Sequence, residues 1–230
     1  MTDIKTMPPL LNKSFWRHLV VVTAIALLGL PMPVRALMVN GNLPQGGLAV
    51  GKTAPDAAVY FQGRAVRVSS DGLFVIGFDR DAGPEATIEI HQESGRVANH
   101  RLSIAARSYR IQRIDGLPQG KVTPAAADLT RIRREIALVN AVRLKDDPRQ
   151  GFTQTFIWPV IGRISGEFGS QRVLNGIPKR PHYGVDIAAP TGTPVKAPAD
   201  GVVSLVHDDM FYSGGTLIVD HGHGITTSYL

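Results

Sequence analysis

The stretch Trp158–Asp200, WPVIGRISGEFGSQRVLNGIPKRPHYGVDIAAPTGTPVKAPAD, decides the fold, and it contains the motif His182-Tyr183-Gly184-Val185-Asp186. An imidazole nitrogen and a carboxylate oxygen are both ordinary zinc ligands. The H-x-x-x-D spacing therefore allows His182 and Asp186 to reach one zinc ion. The spacing alone has little specificity, so its interpretation depends on the local backbone.

The motif is predicted to be extended, because prolines flank it and it contains a glycine and β-branched residues. Alternation along a strand puts the two candidate ligands on one face and the apolar residues Tyr183, Val185 and Ile187 on the other. A straight strand would hold the ligands' Cα atoms about 13 Å apart, at or beyond what the two side chains can span. We therefore predict that the backbone bends between them, at Gly184.

Three segments occur in the order found in a known family: GRISGEFGSQR at 162–172, PHYGVDIAAPTGTPVKAPADGVV at 181–203 and GGTLIVDHGHGITTSYL at 214–230. Together they resemble the lysostaphin-like (LytM-type) zinc metalloendopeptidases, which cut peptide stems and cross-bridges of bacterial peptidoglycan. The resemblance covers about residues 155–230. It implies zinc as the cofactor, peptidoglycan as the partner, and His182 and Asp186 as the first two zinc ligands.

The sequence His221-Gly222-His223 is similar to the family's later H-x-H motif, but its surroundings favour another role. Apolar and β-branched runs flank His-Gly-His-Gly, a pattern that predicts the turn of a β-hairpin. We therefore expect the third ligand and the catalytic histidines to lie beyond Leu230, and the chain as given to be an inactive fragment. The competing interpretation makes His223 a substitute third ligand.

The composition is that of an ordinary globular protein, with 43% hydrophobic and 7% aromatic residues. The net charge is +6, and before residue 37 four basic residues stand against one acidic residue. The excess of positive charge in the rest of the chain is small and mildly favours anionic surroundings such as a cell wall. The sequence contains no run of basic residues with interleaved aromatic residues, the pattern that would indicate nucleic-acid binding. The sequence contains no cysteine and so no disulfide framework.

Residues 1–36 have the three parts of a secretory signal peptide: basic residues, an apolar run at Leu19–Leu30, and Val34-Arg35-Ala36 as a cleavage site. As a helix the apolar run would span about 18 Å, whereas a bilayer core is about 30 Å thick. We therefore expect a bacterial periplasmic or secreted protein. Membrane association follows only if the segment stays uncleaved as an anchor.

Residues 38–116 are predicted to form a small β-sandwich-like domain, because short β-type runs alternate with turn residues. Turns at Gln62-Gly63 and Asp71-Gly72 supply the left-handed positions that tight hairpins need. The region contains no catalytic constellation. The predicted strands are Ala57–Phe61, Ala65–Val68, Leu73–Phe78, Ala86–His91, Arg101–Ile104 and Tyr109–Ile114.

Residues 117–150 are predicted to be a linker and a helix at Ala125–Leu144 that bridges two domains, because apolar residues recur there at three- and four-residue steps. Its apolar positions are Leu129, Ile132, Ile136, Val139 and Val142. Its polar face carries Arg131, Arg133, Arg134 and Glu135.

Residues 152–230 are predicted to form an incomplete, mostly antiparallel β domain, which the resemblance identifies as the duplicated hybrid motif type. The fold class is therefore mainly β. Two roles are open for Arg172 and Tyr212, the lining of a substrate groove or ordinary surface contacts, and the second is expected for each. The predicted strands are Phe156–Val160, Gly184–Ala188, Thr193–Ala197, Gly201–Val206 and Thr216–Val219.

Three functions are consistent with the sequence. The resemblance implies a peptidoglycan endopeptidase that uses a zinc-activated water. A second interpretation is a non-catalytic regulator with the same fold whose partner is a cell-wall amidase, although the presence of both His182 and Asp186 disfavours it. A third treats residues 38–116 as a wall-binding or partner-binding module. That region lacks an aromatic cluster at alternating positions, which disfavours a glycan platform.

Overall fold

Short β-strands joined by tight turns make up most of the regular structure in the computed structural model, which describes residues 38–40 and 43–230. The predicted signal peptide, residues 1–36, lies outside the described residues. The mainly β fold class is confirmed. The domain boundaries at 116 and 150–152 stay predictions.

The N-terminal region is a sandwich of two antiparallel sheets, as predicted. Its strands are β1 (Met38–Asn40), β2 (Leu48–Lys52), β3 (Ala58–Phe61), β4 (Arg64–Val66), β5 (Leu73–Gly77), β6 (Glu85–His91) and β7 (Val97–Ser103). One sheet has the order β1-β2-β5 and the other the order β4-β3-β6-β7. Alternate side chains point into the space between the sheets, where Phe74, Ile88 and Val59 are buried in one apolar cluster.

The predicted hairpin turn between β3 and β4 is confirmed. Gln62 and Gly63 both have positive φ, at 50° and 74°. Two successive residues with positive φ give the turn the twist that matches the twist of the paired strands. The sequence missed β1 and β2, whose residues show no clean alternation between turn signals.

One strand predicted as part of the sandwich belongs elsewhere. β8 (Ile111–Ile114) pairs in parallel with β10 (Gln171–Leu174), whose other neighbour is β11 (Ile177–Pro178). The prediction that residues 109–114 join the sandwich is therefore wrong. A run of β-type residues does not state its partner, and here the backbone hydrogen bonds go to the C-terminal segment.

The predicted long helix is confirmed as α2 (Ala126–Arg143), which follows a short helix α1 (Gln119–Val122) in the predicted linker. Its predicted faces are partly wrong, because Glu135 is only 6% exposed whereas Ile136 is 53% exposed. Glu135 Oε2 accepts the backbone N–H of Phe211 at 2.8 Å, and Oε1 accepts from Arg131 at 2.7 Å. Burial opposes ionisation, but these hydrogen bonds outweigh it and lower the pKa of Glu135.

The C-terminal strands are β9 (Arg163–Gly166), β10, β11, β12 (Asp186–Ala188), β13 (Val202–Met210), β14 (Gly214–Asp220) and β15 (Thr226–Tyr229). β9 pairs with β12, and β13-β14-β15 form an antiparallel sheet. A single turn of 3₁₀-helix, Gly151–Thr153, precedes them.

Two predicted strands, Phe156–Val160 and Thr193–Ala197, are not strands in the structure. They are extended segments joined by two backbone hydrogen bonds, from Ile157 N to the Pro198 carbonyl at 2.9 Å and from Lys196 N to the Pro159 carbonyl at 2.8 Å. Prolines in both segments have no N–H to donate, so a longer ladder cannot form.

Within residues 38–40 and 43–230, no helix combines the length and the apolar character needed to cross a bilayer.

Candidate metal centre

His182 lies on an extended segment that is fixed by backbone hydrogen bonds to a neighbouring turn. Its N–H donates to the Ser170 carbonyl at 2.9 Å, and its carbonyl accepts from Gly169 N at 2.7 Å. The residue is 8% exposed. The turn at Gly169-Ser170 therefore sets the position of the imidazole.

The backbone bends at Gly184, as predicted, and β12 begins at Asp186. The bend brings His182 Nε2 and Asp186 Oδ1 to 3.1 Å from each other. A Cβ atom at Gly184 would lie 3.5 Å from His182 Nε2, an ordinary van der Waals contact. The two sequence-predicted ligands are thus adjacent.

The apolar residues of the motif lie at the surface. Tyr183 is 63% exposed and Val185 is also exposed, while the imidazole between the preceding proline and Tyr183 is buried. A strand that covers a core shows the opposite burial. This segment therefore presents its apolar side chains outward and its candidate ligand inward.

Both oxygens of the Asp186 carboxylate have partners. Oδ1 faces His182, and Oδ2 accepts a hydrogen bond from Arg172 Nη2 at 3.1 Å. Gly166 lies opposite Asp186 in the β9–β12 pair, and a Cβ atom there would stand 2.1 Å from Oδ2. The absent side chain at Gly166 makes the room that the carboxylate occupies.

The contact of Arg172 with Asp186 was not predicted from the sequence, which favoured ordinary surface contacts over a groove-lining role for Arg172. Its Nε also donates to Gln112 Oε1 at 3.4 Å. Nothing in the spacing of Arg172 from Asp186 indicated that they meet, since β10 and β12 belong to different sheets. Tyr212, by contrast, is exposed as expected.

The surroundings of His182 favour a neutral ring. Burial lowers the pKa of His182, and the charge of Arg172 lowers it further, against smaller opposing effects of Asp186 and the Glu167 backbone. The buried Nδ1 has no hydrogen-bond partner at normal geometry. A neutral imidazole is the form that binds a metal ion.

The donor pair fits zinc chemistry. Two ligands at about 2.1 Å from a tetrahedral zinc lie about 3.4 Å apart, slightly more than the 3.1 Å between His182 Nε2 and Asp186 Oδ1. The unpartnered ring nitrogen of His182 is Nδ1, whereas Nε2 is the nitrogen that faces the carboxylate. Among residues 38–40 and 43–230, however, no three His, Cys, Asp or Glu side chains form a group that could hold a metal ion.

The histidines of the H-G-H sequence lie in the predicted hairpin turn between β14 and β15. Gly222, His223 and Gly224 all have positive φ. His221 is fully buried, with Nδ1 2.7 Å from the Asp200 carbonyl and Nε2 2.9 Å from Thr227 Oγ1. Because a carbonyl only accepts, Nδ1 donates and Nε2 accepts. Both ring nitrogens of His221 are thus used within the fold.

The ring of His223 packs on Phe152, with 4.5 Å between the ring centroids, and its two buried nitrogens have no hydrogen-bond partner. Burial and the charge of Arg67 lower the pKa of His223. The structure does not bring His221 or His223 into a metal-holding group with His182 and Asp186.

A groove of about 240 Å³ is lined by Val185 of the motif, although by neither candidate ligand. Trp158, Phe168, Val185 and Tyr109 contribute apolar surface to it, and Arg107 contributes a cation. The Arg107 guanidinium carbon lies 5.6 Å from the ring centroids of both Tyr109 and Phe168. The groove therefore combines stacking surface with positive charge next to the motif.

The paired histidine and aspartate lie in a C-terminal segment that is mainly β. Residues 180–230 match the sequence profile of peptidase family M23. This match confirms the lysostaphin-like resemblance of the C-terminal segment.

Curated relatives match the same part of the chain. Peptidoglycan DD-endopeptidase ShyA of Vibrio cholerae is 41% identical over 70 residues, which are 30% of this chain and 16% of ShyA. DD-carboxypeptidase/endopeptidase Mpg of Neisseria meningitidis is 40% identical over 70 residues, with the same shares. Cell division protein DipM of Caulobacter vibrioides is 35% identical over 74 residues, 32% of this chain and 11% of DipM. The chain thus spans about a sixth or less of the length of these relatives.

Proposed function

We propose that the natural gene product is a peptidoglycan endopeptidase that hydrolyses peptide stems or cross-bridges of the bacterial cell wall. The M23 match and the relatives named as DD-endopeptidases support a peptidase that acts on peptidoglycan. The observation that carries the proposal is the 3.1 Å pair of His182 Nε2 and Asp186 Oδ1 inside the matched segment.

Zinc is the metal we propose, since M23 peptidases are generally zinc-dependent. When bound, zinc polarises the scissile carbonyl and activates water. His182 would contribute its Nε2 and Asp186 its Oδ1, the two atoms that face each other. The groove with Trp158 and Arg107 would hold the substrate, since a peptide stem offers both apolar groups and carboxylates to such a surface.

The third ligand and the assisting histidines are not assigned to residues of this chain. Catalytic zinc commonly has three protein ligands and an open position for water. We therefore expect the 230-residue chain on its own to retain zinc weakly and to leave peptidoglycan intact. The competing site, with His223 as third ligand, would need that ring to leave its packing on Phe152.

The place of action that we propose is the bacterial periplasm or the exterior, because residues 1–36 have the order of a secretory signal peptide. The mild positive charge outside that segment suits an anionic wall. Nucleic acid is not among the proposed partners.

The proposal is tested by substituting each candidate ligand in the natural gene product. His182→Ala and Asp186→Ala should each remove zinc from the purified protein and lower hydrolysis of purified cell walls to background. The matched controls are His100→Ala and Asp56→Ala, which change the same residue types in the sandwich region and should keep both properties. Bound zinc is measured by atomic emission and hydrolysis by loss of wall turbidity.

Full zinc content and hydrolysis in His182→Ala would overturn the ligand assignment. A wild-type protein that holds no zinc and hydrolyses nothing, yet stimulates a cell-wall amidase, would support the non-catalytic regulator instead. If the 230-residue chain hydrolyses cell walls and His223→Ala abolishes that hydrolysis, the interpretation of His223 as a substitute third ligand is supported.

A further inference from the structure

The candidate metal centre extends beyond the M23 match into the N-terminal half of the chain. We propose that Arg172 and Gln112 are positioning residues that orient the Asp186 carboxylate toward the metal ion. This inference rests on the proposed zinc site. It also makes β8, which lies 66 residues or more before the matched segment, a supporting element of the site.

The strand register sets up the contact. β8 and β10 are parallel neighbours, and Gln112 stands beside Arg172 in the pairing. Adjacent residues in neighbouring strands direct their side chains to the same face of a sheet. Gln112 Oε1 accordingly accepts from Arg172 Nε at 3.4 Å. The amide of Gln112 thus limits where the guanidinium can lie.

Arg172 in turn limits the carboxylate. Its Nη2 donates to Asp186 Oδ2 at 3.1 Å, which leaves Oδ1 directed at His182 Nε2. A carboxylate held through one oxygen presents the other as a single ligand atom. Partners of this kind around metal ligands fix ligand orientation, and their loss commonly reduces metal affinity by about 10- to 100-fold.

A structural ion pair alone does not explain this arrangement. Side chains of Arg172 and Asp186 are both partly exposed, and ion pairs between solvent-exposed residues contribute little to stability. The pair also has a cost for a metal site, because the guanidinium repels a cation. The two roles therefore predict opposite results: removing a repelling charge tightens metal binding, and removing a positioning group weakens it.

Arginine suits this role better than lysine. Its planar fork donates from Nε to Gln112 and from Nη2 to Asp186 at the same time. Lysine keeps the positive charge but presents it at one point. Arg172→Lys therefore separates charge from geometry.

The test measures zinc affinity of the metal-free 230-residue chain by following the ring NMR signals of His182 during zinc titration, a method that detects weak binding. Arg172→Ala and Arg172→Lys should each weaken binding about 10-fold or more. Gln112→Ala should weaken it less, and Gln112→Glu, which keeps an acceptor oxygen, should restore it. Arg180→Ala is the matched control, since Arg180 is an exposed arginine of the next loop. The midpoints of urea unfolding of all these variants should equal that of the parent within experimental error.

A second readout needs no metal. In the zinc-free chain, Arg172→Ala and Gln112→Ala should shift the ring nitrogen signals of His182, because the carboxylate beside Nε2 is no longer held. Unchanged signals together with unchanged or tighter zinc binding would overturn the positioning role. Absence of zinc from the natural gene product, with the ring signals of His182 still shifted by Arg172→Ala, would count against the proposed function and leave the positioning of the carboxylate supported.

Discussion

The sandwich at residues 38–103 and the segment around the metal motif bury opposite kinds of side chain. In the sandwich, Phe74 and Ile88 are fully buried between two sheets, and polar residues alternate outward. Around the motif, His182 is buried while Tyr183 and Trp158 are exposed, the latter at 59%. Apolar packing therefore holds the first region. In the second, backbone hydrogen bonds and ion pairs hold the candidate ligands.

This difference separates stability from function in the two regions. The core of the sandwich contains no residue of the candidate metal centre, and the centre contains none of the sandwich core. Large losses of stability are therefore expected from the sandwich, and large losses of metal affinity from small changes near Asp186.

The largest expected effect on stability is that of Phe74→Ala. The ring is fully buried and packs so closely on Gly51 that a Cβ atom there would lie 2.2 Å from it. Truncating a buried phenylalanine costs about 3–5 kcal/mol, through lost burial and a cavity. Trp158→Ala removes an exposed aromatic residue and should change the free energy of unfolding by less than about 1 kcal/mol. Urea unfolding measures both, and equal losses would contradict the contrast between the regions.

A smaller change, Gly166→Ala, should damage the second region selectively. The new methyl group would stand 2.1 Å from Asp186 Oδ2, so the carboxylate must move from its place between Arg172 and His182. We expect zinc affinity to fall about 10-fold or more, as for other losses of ligand orientation. Gly83→Ala is the control, because a Cβ atom there meets nothing within 4 Å. Zinc titration of both variants gives the comparison, and equal affinities would rule out a role for the space at Gly166.

The sequence predicted the sandwich well because its strands follow the period-2 alternation of a two-layer core. Five of its seven strands were anticipated, and the turn at Gln62-Gly63 has the expected backbone. The sequence also predicted the meeting of His182 and Asp186, and the bend between them, from the reach of the two side chains. These features depend on local geometry, which neighbouring residues specify.

Contacts between distant segments could not be predicted in the same way. The parallel pairing of β8 with β10, the contact of Arg172 with Asp186 and the burial of Glu135 on α2 all join residues far apart in the chain. An arginine or a glutamate on a predicted surface face has no local signal that states its partner. The extended segments at 156–160 and 193–197 were wrongly predicted to be strands, because their prolines cannot donate the hydrogen bonds of a longer β-ladder.

The smallest expected effect is a pH dependence that arises from His223, where the hairpin turn meets Phe152. Burial and Arg67 lower the pKa of His223 in the folded chain below its ordinary value of 6.5. The unfolded chain then binds the proton more readily, so stability is fully present above pH 6.5 and is lost as the pH falls below it. His223→Asn removes the titrating ring and keeps a residue that tolerates the positive φ of 52°.

The measurement is the urea midpoint at pH 7.5 and at pH 5.5 for the parent and for His223→Asn. His182, whose pKa is also lowered, destabilises both proteins in the same direction over this range, so the difference between them isolates His223. We expect the midpoint of the parent to fall more steeply with acidification than that of the variant. His100→Asn is the matched control and should follow the parent. Parallel pH profiles for the parent and His223→Asn would mean that the hairpin turn opens to solvent, so that its histidine titrates as it does in the unfolded chain.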